Sequence, residues 1–205
     1  MKKIILGILL LVLGIAGYYW YKFSNTGGGE HGPKQHPMAL KKHSAAFNQA
    51  VTNAMNAYFD MSAAFVEYDT VKVKEYDRRF LQLLDSIPMD ELKKDTASIY
   101  ELAMIELGNI KTNAQSLLTM TDIQEMRKDF STVSENLYPS FFNTINYEGE
   151  HLYWQNCPMA FGDDKEANWV SKTPEVVNPY LGKFHPEFKA TMLHCGMLKD
   201  TIKTK

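Results

Sequence analysis

Two short stretches hold the residues best suited to chemistry. "YWQNCPMAFGDD" runs from Tyr153 to Asp164 and "ATMLHCGMLK" from Ala190 to Lys199; together they contain the only two cysteines of the chain, Cys157 and Cys195. Each has a methionine close by, Met159 and Met192, and His194 precedes Cys195. Thiolate and thioether sulfur are soft ligands that select monovalent copper and similar ions over hard cations. Cys157 and Met159 are two apart, so in extended chain they project from one face, and Pro158 between them stiffens the backbone. Met192 and Cys195 are three apart, about one helical turn, and again share a face. His194, with the more distant His185 and His151, supplies imidazole nitrogen. A site of two or three sulfurs suits copper(I) or silver(I). A set of two cysteines and one histidine suits zinc but leaves the methionine pair without a role. The competing chemistry is a Cys157–Cys195 disulfide, which would close a loop of about 40 residues and contribute a few kcal/mol. The residues alone leave both readings open.

Catalysis is not expected. The sequence has no C-x-x-C redox pair, no haem-attachment motif, no nucleophile elbow and no phosphate-cradling glycine loop. Asp163, Asp164 and Glu166 lack calcium-loop spacing and read as a solvated turn. The net charge of −2 provides no electrostatic footprint for nucleic acid.

Helices must position the sulfur-bearing segments. Leu40, Phe47, Val51, Met55, Tyr58, Met61 and Phe65 recur at helical spacing and predict a first amphipathic helix. "EYDT" interrupts it. Val73, Tyr76, Phe80, Leu83, Leu84 and Ile87 form a second stripe, which Pro88 stops. Asp90 is the expected cap of a third helix carrying Ile99, Ala103, Leu107, Ile110, Ala114 and Leu117. Thr121 and Gln124 have capping-box spacing and open a fourth, with Ile123, Met126, Phe130, Val133 and Leu137 on its stripe and a kink or stop at Pro139. Met55, Met61, Met104 and Met126 read as core fillers rather than ligands.

The expected fold is therefore mainly α: an up-and-down four-helix bundle over residues 40–145. An irregular Cys/Met-containing cap with short strands, residues 146–205, packs on it. Strands are expected at His151 to Gln155 and at Ala167 to Ser171, and Trp154, Trp169, Tyr180 and Phe188 require burial. Ahead of the bundle, residues 24–39 form a glycine- and proline-rich linker containing His31 and His36, with His43 beyond it. Residues 1–23 hold the apolar run Ile4 to Tyr21, long enough to span a bilayer and ending in an aromatic belt. Lys2 and Lys3 put the amino terminus in the cytoplasm and the domain outside. The run reads as an uncleaved anchor, with a cleaved signal as the alternative.

The order "NCPMA", "ANWVS", "VVNPYLG", "MLHCGML" resembles a bacterial domain-of-unknown-function family with a C-P-M-A, A-x-W-[LV]-S, N-P-Y-x-G, M-L-x-C-G series. That family occurs alone behind a signal or anchor, or fused to periplasmic adaptor subunits of heavy-metal efflux pumps. The resemblance is specific over Tyr153 to Leu198 and general over the helices. It implies copper or silver handling by Cys157, Met159, Met192 and Cys195, with a periplasmic efflux adaptor as partner. It also implies a site in the bacterial inner membrane, single-pass with the domain in the periplasm, or free in the periplasm if the N-terminal segment is cleaved. "KFHPEFKAT", Lys183 to Thr191, is longer than the family's usual link and adds His185 to the nitrogen donors. The second function expected from the residues is a structural or protein-interaction domain of the cell envelope, with a Cys157–Cys195 disulfide and no metal.

Overall fold

The computed structural model describes residues 14–15, 17–18 and 41–203. Most of the expected anchor, the linker with His31 and His36, and Leu40 lie outside the described residues. The chain divides into two units, Met1–Gln35 and His36–Lys205. In the first, Gly14, Ile15, Gly17 and Tyr18 are helical. Among the described residues no helix is long and apolar enough to cross a membrane. The second unit carries both cysteines.

That unit is mainly helical, with four helices followed by a small antiparallel sheet. Ser44 caps α1 (Ala45–Val66) by accepting from the Phe47 N–H. Its predicted stripe, Phe47, Val51, Met55, Tyr58, Met61 and Phe65, is buried throughout. Tyr68 turns the chain with φ +58°, and Asp69 caps α2 (Thr70–Asp85) by accepting from the Lys72 N–H. Here Val73, Phe80 and Leu84 are buried, with Tyr76 and Leu83 half-buried beside them. Asp90 does not cap the third helix as expected. It sits in a short 3-10 turn, Met89–Lys94, and Thr96 caps α3 (Ala97–Thr119) through the Ile99 N–H. The fourth helix, α4 (Ile123–Glu135), is capped by Asp122 rather than Thr121. The Asp122 carboxylate takes the N–H groups of both Gln124 and Glu125, which a hydroxyl one residue earlier does not match. Pro139 acts as expected. The helix gives way to a wide turn, Asn136–Phe141, in which Tyr138 is extended, and then to the single turn α5 (Phe142–Thr144). Successive helices pack on one another, α1 on α2, α2 on α3 and α3 on α4. Of the four methionines read as core fillers, Met55, Met61 and Met126 are buried, whereas Met104 is 40% exposed.

The C-terminal segment is more regular than expected. β1 (Leu152–Cys157) is the centre of a three-stranded antiparallel sheet, flanked by β2 (Ala167–Ser171) and β3 (Met197–Ile202). β1 starts one residue later than expected and runs on to Cys157, because both its edges are paired and both its faces largely covered. β3 was not anticipated. Most of its residues are exposed, so it carries no alternating apolar pattern.

An aromatic column joins sheet to helices. Tyr58 on α1 stacks on Phe130 of α4 with ring centres 5.0 Å apart. Tyr180 leans on Phe130 at 6.0 Å and meets Trp169 of β2 edge-on at 5.8 Å. The Tyr58 hydroxyl also accepts from the Val170 N–H at 3.1 Å and bonds Ser134 at 2.7 Å. Trp154, Trp169 and Tyr180 are buried, and Phe188 is half-buried.

Candidate functional site: a paired-thiol site at the end of the central strand

Cys157 is the last residue of β1 and is fully buried, opposite Ala167 of β2. Cys195 lies in the loop between a 3-10 turn, Ala190–Met192, and β3, and is half-buried. Both are free thiols, and their sulfurs are 3.5 Å apart. Burial, reinforced by the neighbouring Cys157 sulfur, pushes the Cys195 thiol up to about 11. Both effects disfavour a thiolate that has no cation beside it.

Three residues that the sequence reading did not single out hold this geometry. Gly196 has φ +141°, and a Cβ there would stand 2.5 Å from the Asn156 carbonyl oxygen. Only glycine lets the Cys195 loop press this closely on β1. Asn178 donates to the Cys195 carbonyl at 2.7 Å, and its own N–H bonds the Leu193 carbonyl at 2.8 Å. Its side-chain oxygen meanwhile accepts from the N–H groups of Tyr180 and Leu181. Gln155, two residues before Cys157 on the same face of β1, donates to the Thr173 and Glu175 carbonyls at 3.0 Å each. The legible signals were the asparagine of N-P-Y-x-G and the glycine after Cys195, both within the quoted motifs.

Below this loop, Arg127 of α4 is fully buried. It donates to the Pro179 and Phe65 carbonyls at 3.0 Å each, and its guanidinium lies 4.1 Å over the Tyr68 ring. Gly182, φ +60°, fits against it where a Cβ would be 2.8 Å from the Val66 carbonyl oxygen. The N-P-Y-L-G segment is thus clamped to the end of α1.

The other predicted ligands fall in different settings. Met192 is half-buried and joined to Cys195 by a tight turn, with the Cys195 N–H 3.0 Å from the Met192 carbonyl. His194 is exposed, and its Nδ1 lies 2.6 Å from the Val176 carbonyl oxygen. A carbonyl oxygen only accepts, so Nδ1 carries the proton and Nε2 presents a lone pair. Met159 begins the turn Met159–Gly162 and opens onto a cleft of about 480 Å³ shared with His185. His185, the additional nitrogen donor expected from the sequence, presents no free ring lone pair in this arrangement. Its Nδ1 accepts from the N–H groups of Glu187 and Phe188, which leaves the proton on Nε2. His151 is exposed and tilts against Tyr153. His43 stacks on Phe47 at 4.2 Å and bonds the Ile145 carbonyl, so it is part of the helical packing. Among the described residues no three or more of His, Cys, Asp and Glu converge as a metal cluster. Any ion held here would rest on two thiols supplemented by thioether or a single imidazole.

No curated protein and no solved structure matches the chain. A family model does match residues 54–147, from within α1 to the residues just after α5, and ends before β1, so that the paired thiols lie outside it. That stretch is a domain of unknown function, described as Protein of unknown function (DUF3347).

Proposed function

We propose that the chain is an extracytoplasmic binding module for a soft monovalent ion, copper(I) or silver(I), held between Cys157 and Cys195. One observation carries this reading: the two sulfurs stand 3.5 Å apart, and one of them faces partly outward. Two thiolates sharing a four-coordinate ion at about 2.3 Å, the zinc–thiolate length, are about 3.8 Å apart, and a two-coordinate ion spreads them further, whereas a disulfide requires about 2.05 Å. A small outward movement of the Cys195 loop therefore admits an ion. His194 has its Nε2 lone pair available, and its Nδ1–H bond to a backbone carbonyl is the outer-shell arrangement that orients ligating histidines. Met192 and Met159 are the thioether donors of the set.

The module would buffer the ion or pass it to a heavy-metal efflux system, and it is not an enzyme. The resemblance of the motif series to domains fused to periplasmic efflux adaptors suggests that partner, and the apolar run Ile4 to Tyr21 supports an inner-membrane anchor. We also propose that the four helices run up and down as a bundle, since successive helices joined by short turns pack on each other.

The test is the intact mass of the protein taken from the envelope of a host grown with modest copper. It is measured under native conditions and again after denaturing alkylation. A copper adduct is expected, with both cysteines alkylated once the metal is stripped, and it disappears in Cys157→Ser and Cys195→Ser. A metal-free mass two hydrogens lighter, with no alkylation, overturns the reading. It supports instead an envelope interaction domain with a Cys157–Cys195 disulfide. The complete burial of Cys157 favours that second reading, because a buried thiol is harder for an ion to reach.

A further inference from the structure

The cleft onto which Met159 opens has its own chemistry, separate from the thiol pair. At about 480 Å³ it lies within the size range of small-molecule sites. Met159, Phe161 and Phe188 supply half-buried apolar walls. Three of the polar side chains that line it can donate, Gln124, Lys128 and His185, and two are carboxylates, Asp163 and Glu187. Gln124 and Lys128, four apart on α4, share one helix face and both line the cleft. His185 lines it as well, and because its Nδ1 is occupied by two backbone N–H groups, the ring nitrogen left for a ligand is the protonated Nε2. Burial, and next the charge of Arg127, hold His185 below its usual range, which keeps this neutral tautomer in place near pH 7. Arg127 is itself a fully buried cation with no carboxylate within ion-pair distance among the described residues. Its positive charge, offset in part by Asp122, acts on the His185 ring and favours an anion on that side. The carboxylates on the rim, Asp163 and Glu187, are exposed and therefore weakly felt, yet they oppose a polyanion.

We propose that this cleft binds a small apolar monocarboxylate. The carboxylate would accept from His185 Nε2–H, the Gln124 amide and Lys128, and the apolar part would lie against Met159, Phe161 and Phe188. Lys128 is held at present 2.8 Å from Glu125 and exchanges that exposed partner for the ligand. Both groups are exposed, so the exchange costs little.

The probe is 4-phenylbutyrate, titrated against the purified protein while the methionine methyl and histidine ring signals are followed by NMR. Saturable shifts at Met159 and His185 are expected with a Kd of about 1 mM, the range for a ligand of this size. The uncharged analogue 4-phenylbutyramide is expected to bind about tenfold more weakly, the loss of a charge-assisted hydrogen bond. Lys128→Gln, which removes the charge at an exposed position without placing a like charge beside Glu125, is expected to weaken phenylbutyrate about fivefold and the amide much less. Absence of saturable shifts up to about 10 mM overturns the proposal. So does equal binding of acid and amide, which would mark the cleft as an apolar surface without anion selectivity.

Discussion

Asp77 should make this protein less stable as pH rises from mildly acid to mildly alkaline. The residue lies in α2, is fully buried, and neither carboxyl oxygen has a hydrogen-bond partner among the described residues. Burial pushes its pKa up to about 8 from an ordinary value of 3.8; Arg78 pulls the other way, and Asp129 adds to the rise. Between those two values the unfolded chain has released the proton and the folded chain still holds it. The folded state therefore binds more protons, and stability falls as pH climbs through this window. At pH 7 the separation is about 3 pH units, which at 1.36 kcal/mol each is about 4 kcal/mol relative to pH 4. That figure is an upper bound, because water entering around an ionised carboxylate lowers it. Asp77→Asn keeps the shape and removes the titration. Urea unfolding followed by tryptophan fluorescence, at several pH values from 5 to 8, reads the difference between variant and parent. The variant should gain on the parent steadily across that range, by at least about 2 kcal/mol in total. A parent-to-variant difference that stays constant from pH 5 to pH 8 would refute the reasoning, since the carboxyl would not then be held neutral in the fold.

Other perturbations have equally definite outcomes. Gly196→Ala meets the Asn156 carbonyl at 2.5 Å in a backbone conformation unsuited to alanine; it should cost about 2–3 kcal/mol in thermal unfolding and slow diamide-induced joining of Cys157 to Cys195. Tyr58→Phe leaves the Val170 N–H and Ser134 without their partner across the helix–sheet junction, so it should lose about 1–3 kcal/mol in urea unfolding. For Glu91, burial alone would raise the pKa, but hydrogen bonds from Ser44 and Lys94 outweigh it and bring the carboxylate down to about 2. Its contribution is complete above the ordinary carboxylate range and is lost as pH falls toward 2. With solvent screening of these partly exposed contacts, Glu91→Gln should be less stable by about 1 kcal/mol at pH 7 and converge with the parent in an acid-unfolding titration.

The sequence determined the helices. A stripe such as Phe47, Val51, Met55, Tyr58, Met61 and Phe65 is local and periodic, and burying it against a neighbour is the only way to remove it from water. The punctuation was partly legible. Pro139 ended its helix where expected, whereas the caps passed to Thr96 and Asp122 because Asp90 was drawn into a 3-10 turn and Asp122 reaches two N–H groups at once. Met104 followed the helical spacing closely enough to read as core, yet it is 40% exposed, because which neighbours cover a helix face is a tertiary matter. The sheet was half visible: β2 carries the strand formers Trp169 and Val170, but β3 has no pattern of its own and exists because β1 offers it hydrogen bonds. The site followed the same division. Residue types marked Cys157, Met159, Met192, His194 and Cys195 for soft-ligand chemistry. Tertiary structure alone brought the two sulfurs, 38 residues apart in the chain, to 3.5 Å, through a glycine that tolerates contact with β1 and an asparagine that ties the loop down. It also separated the histidines, by giving the Nδ1 of His194 a carbonyl to donate to and the Nδ1 of His185 two N–H groups to accept from. Local spacing encodes which face a side chain shares with its near neighbours. Distances between segments, and the tautomer of a ring, depend on partners that only the folded chain supplies.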